Sequence, residues 1–427
     1  MTKKLWRGGF AVAASLALAA SAVPGAALAQ DGDVEVLTYF SSALGDQFLA
    51  EILEEYEASS GATVNIGEID HEQYKTLILV QLAGGNPPDV LTDWAGARTA
   101  FKVGNGSLAP IDDMWEANEL DAVFPAAMVE SAATYDGSKY LIPFGYHVAG
   151  MFYNVDTLAE AGVDVPTTWD ELIAACGTLN EAGITPIAIG SMNRWPAQFW
   201  FDYLLLRTAG PEYRASLMAG EASYEDAEVV AAMEMWAEAA AAGCFTNDAN
   251  AFDWTDAAAD VASGEAAMNL MGTWITGTFA GMDPPLEPIT GYDFFEFPTI
   301  DPDIPNAVVG PVDGFAVAAE AKNLEGGKAL LAFLTDPEVQ TTWALGQGAI
   351  PPNVNSDTSA LNDVMKKALD VANAASSFNF NYDLSTAPAP SEIGLDMFAK
   401  FMADPGQDIA ALLAETQSLV QAAFEQQ

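Results

Sequence analysis

Basic residues are scarce in this chain. Its 427 residues hold 60 Asp and Glu but only 15 Lys and Arg, and three of those, Lys3, Lys4 and Arg7, precede the first acid. From Gln30 onward, 12 bases stand against 60 acids. Such a charge repels phosphate backbones and anionic lipid, so nucleic acid is excluded as a partner. The acids are spread through EILEEYE, DDMWEANELD and ASYEDAEVV and do not form one tail. They read as a solvated surface of the kind suited to high salt, with a cation-binding device as the other reading.

Other absences narrow the chemistry. There is no GxSxG, no GxxxxGK[ST] and no HExxH, and two histidines, His71 and His147, are too few for most metal hydrolase sites. No metal or cofactor is expected. A glycosidase carboxylate pair has ample raw material among the acids, but no spacing selects one. The two cysteines, Cys176 and Cys244, lack CxxC spacing. In an exported chain they allow one disulfide, and two buried free thiols fit the sequence equally well. No internal repeat and no low-complexity linker divides the chain, so two domains would have to share chain crossings.

What is present begins with MTKKLWRGGFAVAASLALAASAVPGAALAQ: a basic start, an apolar run, and ALA before Gln30. Residues 1–29 read as a cleavable signal peptide; the Pro24–Gly25 break and the small-residue site favour that over a transmembrane anchor. No cysteine near the site offers a lipid acceptor, so a soluble protein outside the cytoplasm is expected. At 51% hydrophobic the remainder is long and apolar enough for two domains with sizeable cores. VEVLTYF, ATVNIGEI and PPDVLTDW read as strands, separated by the helical stretches GDQFLAEILEEYEASSG and EQYKTLILVQLAGG. That alternation is the signature of an open α/β sheet, whose ligands bind beyond the carboxyl ends of the strands. Further on, PTTWDELIAACGTLNEAG offers Thr168 as an N-cap with Asp170 and Glu171 in the first turn. DAEVVAAMEMWAEAAAAG and the C-terminal DIAALLAETQSLVQAAFEQQ are also helical.

The segments GGNPPDVLTDW, GSLAPIDD, YLIPFGYHVAGMFYNVDTLAEAGVDVPTTWDEL, GEAAMNLMGTWITG and GPVDGFAVAAEAKNLEGGKALLAFLTDPEVQ together resemble family 1 extracellular solute-binding proteins, the group of maltose-binding protein. The resemblance covers residues 31 to 427. It implies a two-lobed α/β periplasmic binding protein of type II fold, with a hinge-bordered cleft that closes on a sugar for delivery to the permease of a membrane ABC importer. By that analogy lobe one holds residues 30–142 and 298–345, and lobe two holds 143–297 and 346–427. The run YLIPFGYHVAGMFYN would then cross between lobes. Tyr146 and His147 would face the cleft while Val148, Met151 and Phe152 pack inside; the other reading is a core tyrosine and a core histidine with satisfied hydrogen bonds.

Sugar recognition needs flat aromatic faces and planar polar groups. Trp274, between Gly272 and Gly277, resembles the family's stacking tryptophan, with a core tryptophan as the alternative. Trp195 and Trp200 lie where the family places an aromatic platform, with Trp195 favoured because it follows a polar turn. Trp115, Trp236 and Trp343 sit at helical spacing among apolar residues and read as core. Asp93, beside Trp94, and Asp313 each end an apolar strand and are expected to accept sugar hydroxyls, unless they cap the following turn. Ser41 and Ser42 either donate to the sugar or cap a helix. Asp383 is a further ligand candidate, placed near the cleft by the resemblance. Two competing functions are a polyamine receptor of the same fold, which an acidic, tryptophan-rich cleft would suit, and a secreted glycoside hydrolase.

Overall fold

The computed structural model describes residues 32–40 and 43–426. The expected signal peptide, and Ser41 and Ser42 among the site candidates, lie outside the described residues. Within them no helix is long and apolar enough to cross a membrane.

The strands of the first half are β1 (Asp33–Thr38), β2 (Thr63–Glu68), β3 (Val90–Trp94), the hairpin β4 (Thr134–Tyr135) and β5 (Ser138–Lys139), and β6 (Leu141–Tyr146). After these come β7 (Ala149–Asn154), β8 (Thr185–Ala188), β9 (Ala266–Gly272) and β10 (Tyr292–Phe295). The last are β11 (Ala307–Val309), β12 (Val312–Val317) and β13 (Ser377–Asn379). Two main sheets result, ordered β2-β1-β3-β12-β6 and β10-β7-β9-β8. In the first, β1 runs parallel to β2 and β3 while β12 is antiparallel to β3 and β6. Helices cover both faces, and β3, β9 and β12 are accordingly buried along their whole length.

Each sheet has its own core. Leu91, Trp115, Phe144, Phe315 and Trp343 belong to one, and Phe152, Trp200, Leu204, Trp236 and Phe398 to the other. Apart from Ala344 and Leu384, each of which packs into the core opposite to that of its buried chain neighbours, the chain passes between the cores three times: between Phe144 and Val148, between Val309 and Val312, and between Ala349 and Ile350. The second lies well beyond 298, because β11 pairs with β13 and its residues Ala307–Val309 pack into the second core. At the hinge the passages run side by side. Tyr146 and Ile350 exchange backbone hydrogen bonds of 3.0 and 2.8 Å, and the His147 amide donates to the Pro311 carbonyl at 3.1 Å. A Cβ on Gly310 would sit 1.8 Å from the His147 carbonyl oxygen, so only glycine lets these strands approach so closely.

Local expectations carry through. Thr168 forms a capping box with Glu171 at the start of the helix Trp169–Glu181. That helix carries Cys176, and a disulfide joins it to Cys244 across 68 residues with Cα atoms 5.1 Å apart, which decides between the two readings of the cysteines. Closing so long a loop restrains the unfolded chain.

Candidate functional site: an aromatic cleft between the lobes

The cleft opens where β1 and β3 end, at the carboxyl edge of the first sheet, and encloses about 590 Å³. β1 delivers Tyr39 and Phe40, and β3 delivers Trp94. Tyr39 and Trp94 stack with ring centroids 4.0 Å apart and planes 14° from parallel, which fixes the indole as a flat wall. The second lobe supplies Trp195, Trp254 and Trp274, with Trp195 lying 6.3 Å from Trp254 and 5.9 Å from Trp274. Trp274 is half-buried just beyond β9. The small size of Gly272 serves this indole: a Cβ there would sit 1.9 Å from the Trp274 ring. Across the cleft, His71 of the first lobe faces Trp195 of the second at 6.1 Å.

Asp313 and His147 meet at the hinge. The Tyr39 hydroxyl donates to Asp313 Oδ1 at 2.6 Å, and His147 Nε2 lies 3.2 Å from Asp313 Oδ2. His147 Nδ1 lies 3.0 Å from Thr273 Oγ1 and 3.2 Å from the Gly348 carbonyl. Burial, reinforced by the Asp313 charge, raises the Tyr39 hydroxyl well above its ordinary pKa, so it stays a donor. Asp313 and His147 both line the cleft as expected, but each carboxylate oxygen of Asp313 already has an internal partner. Asp383 also lines the cleft, where it takes a 3.2 Å contact from the Arg98 guanidinium and a 2.7 Å hydrogen bond from Asn381 Nδ2. Three buried polar atoms on cleft residues have no hydrogen-bond partner among the described residues: Trp195 Nε1, Asn381 Oδ1 and Arg98 Nε.

Three expected site residues lie elsewhere. Asp93 is fully buried away from the cleft, its Oδ1 accepting from Lys102 Nζ at 2.8 Å and its Oδ2 from Thr99 Oγ1 at 3.0 Å. Side chains alternate along a strand, so a cleft-facing Trp94 turns Asp93 into the lobe. The same alternation separates His147 from Tyr146, whose ring meets Phe378 edge-on at 5.8 Å behind the cleft and whose hydroxyl burial pushes up to about 12. Trp200 is a core residue, 4.8 Å from Phe245 and 5.6 Å from Phe297. Trp115 and Trp236 are core as expected, whereas Trp343 is core and also lines the cleft floor.

Sequence reasoning missed His71, Glu72 and Lys75, Arg98, Gln198 and Trp254, all of which line the cleft. A usable signal existed for the first three: they open the helix His71–Ala83, capped by Asp70, directly after a strand of the first sheet. Glu72 is bonded to His71 Nδ1 at 2.9 Å and to Lys75 Nζ at 2.9 Å. Burial alone would raise its pKa, but these two partners outweigh burial and lower it from 4.5 to about 2. A carboxylate with a depressed folded pKa contributes stability that is complete above its unfolded pKa and lost as pH falls toward the folded one. Melting temperature should therefore lose a Glu72 contribution between about pH 4.5 and about pH 2. In Glu72→Gln that part of the pH profile should be flat; an unaltered profile would show that the pairing carries no net stability.

Two lobes on a three-stranded hinge, flanking a cleft with tryptophans from both sides, define a solute-binding receptor. Residues 41–341 match the family described as bacterial extracellular solute-binding protein, and the chain belongs to it. It is 28% identical over 312 residues to an uncharacterized ABC transporter extracellular-binding protein of Pyrococcus horikoshii, a match that spans 72% of this chain and 66%, just under two thirds, of that one. It is 26% identical over 381 residues to a probable sugar-binding periplasmic protein of Brucella suis, spanning 85% of each. Among solved structures it resembles the bacterial solute receptor AcbH, described as having an exclusive preference for β-D-galactopyranose. That likeness has a TM-score of 0.87 at 25% identity and covers 92% of this chain and 99% of that one.

Proposed function

We propose that this protein captures a neutral sugar in the periplasm and delivers it, chemically unchanged, to the permease subunits of an ABC importer, acting as a soluble monomer exported by its N-terminal segment. The observation that carries this reading is the pairing of indole faces from both lobes with buried polar atoms that lack partners, Trp195 Nε1 and Asn381 Oδ1. Apolar C–H faces and hydroxyls are the two things such a lining satisfies together. The relatives' sugar-binding and importer descriptions support the same reading.

The charges in the cleft weigh against the competing readings. Glu72 is paired with His71 and Lys75, Asp313 with Tyr39 and His147, and Asp383 with Arg98, while Asp70 caps the helix His71–Ala83 and Asp253 accepts from Asn193 and from the Thr255 amide. A polyamine needs carboxylates still free to meet its ammonium groups, and a glycosidase needs an acid free to reach the glycosidic oxygen. Calorimetry with neutral sugars and with spermidine, followed by chromatography of the mixtures, tests the proposal. Heat of binding from a sugar recovered intact is expected. Shortened products, or spermidine binding without sugar binding, would sink it.

A further inference from the structure

We infer that Arg194 is a positioning residue for ligand recognition: two carboxylates clasp its guanidinium and so hold a strained turn whose neighbours, Asn193 and Trp195, line the cleft. The part played in recognition rests on the sugar reading above; the clasp itself does not.

The first observation is the backbone. Arg194 has φ 64° and ψ −42°, and the Trp195 amide donates to the Asn193 carbonyl, two residues back, at 2.7 Å. That is a γ-turn of the rare hand, which strains any residue that carries a Cβ. Glycine takes a positive φ without strain, yet the chain has arginine here. Strain of this kind persists only where the surroundings hold it, and it gathers at ligand sites.

The second observation is what holds it. Arg194 Nη1 donates to Asp396 Oδ1 and Nη2 to Glu392 Oε2, each at 2.6 Å. The two acids stand four residues apart on the helix Pro388–Ala403, and so share one face of it. That helix packs on the helix Trp195–Thr208, with the Phe398 and Phe201 rings 4.9 Å apart, so the clasp ties the turn to the element that braces the helix it opens. A lone exposed ion pair contributes little, but two charge-assisted bonds from one planar guanidinium fix its direction.

The third observation is what the turn carries. Arg194 does not itself line the cleft, whereas the residues on either side of it do. Asn193 is bonded to Asp253 at 2.9 Å, and the Trp195 ring lies 5.9 Å from Trp274 and 6.1 Å from His71 of the other lobe. Relaxing Arg194 to an ordinary negative φ would re-aim the chain between them. The indole would then leave its place among these rings.

The test compares Arg194→Ala, Arg194→Gly and Asp396→Asn with the unaltered protein. Asp396→Asn is the cleaner way to open the clasp, because Glu392 also lies 3.9 Å from the cleft residue Arg98. Two quantities are measured: hydrogen exchange across residues 191–197 in the sugar-free protein, and calorimetric affinity for whichever of galactose, xylose, maltose and xylobiose the unaltered protein binds. Arg194→Ala keeps the strain and loses the clasp, so exchange should quicken about tenfold and affinity should fall about tenfold, an interval of about 1.4 kcal/mol. Asp396→Asn should move both in the same direction by less. Arg194→Gly loses strain and clasp together, and should recover most of both losses. Equal losses in the Gly and Ala variants overturn the inference, since a side chain acting only by its charge or its packing would not distinguish them. Quickened exchange with unchanged affinity overturns the positioning role. If the unaltered protein binds none of the four sugars, the sugar reading falls and the positioning role with it, and the order of exchange rates alone upholds or overturns the clasp.

Discussion

Trp274→Ala is expected to weaken sugar binding by about 2–4 kcal/mol, the cost of truncating a strong aromatic hot spot. The indole is half-buried, held edge-on by His147 at 5.3 Å and flanked by Trp195 and Phe199 at 5.9 and 6.1 Å, with its ring lying on Gly272. Its remaining face is open to the cleft, so ligand loses a platform when it is removed. The residue also packs on its neighbours, and some stability will go with it, but less than the roughly 3–5 kcal/mol of a fully buried tryptophan. Calorimetric affinity and the melting temperature of the sugar-free protein, measured on one variant, separate these effects. A large stability loss with unchanged affinity would mean that Trp274 is packing and not recognition.

Asp93→Ala should do the opposite, costing about 3–5 kcal/mol of stability, because it strands the Lys102 ammonium inside the first lobe without its carboxylate. Lys102 is buried, only 4% exposed, and its Nζ has a 2.8 Å contact with Asp93. Burial already holds its pKa below the usual lysine value, with Asp93 opposing that shift. Without Asp93 the folded-state pKa should fall further. Between that value and the unfolded one the unfolded chain binds more protons, so the deficit of Asp93→Ala should shrink as pH rises from neutral toward 10.5. Sugar affinity of the folded fraction should be unchanged, because Asp93 does not line the cleft. An affinity loss larger than the stability loss would restore Asp93 to the binding site.

These two residues show where the sequence could be read and where it could not. The alternation of strands and helices, the Thr168 cap and the cores around Trp115 and Trp236 follow from periodicity, capping chemistry and burial of apolar area, all of which act over a few residues and leave their mark in the sequence. The family resemblance pointed to Trp195, Trp274, His147 and Asp383, and the strand-end position to Asp313 and to the Asp93–Trp94 pair; of these, Asp93 alone does not line the cleft.

What the tertiary structure decided is which side of each strand faces the cleft. Asp93 and Trp94 are neighbours, as are Tyr146 and His147, and in each pair the pleat sends one side chain to the ligand and the other away. Sequence alone gives the two-residue period but not its phase at the hinge, which is set by register against β12 and by the backbone exchange between Tyr146 and Ile350. His71 and Arg98 escaped for a related reason: each opens a helix whose position over the cleft depends on the packing of the whole sheet. The Cys176–Cys244 bridge was also beyond reach, since its formation depends on a Cα separation of 5.1 Å between residues 68 apart in the chain. Local composition and pattern therefore determined the elements, and the resemblance of several segments the class of protein, while distances between distant segments, which no local pattern encodes, determined which residues meet at the cleft.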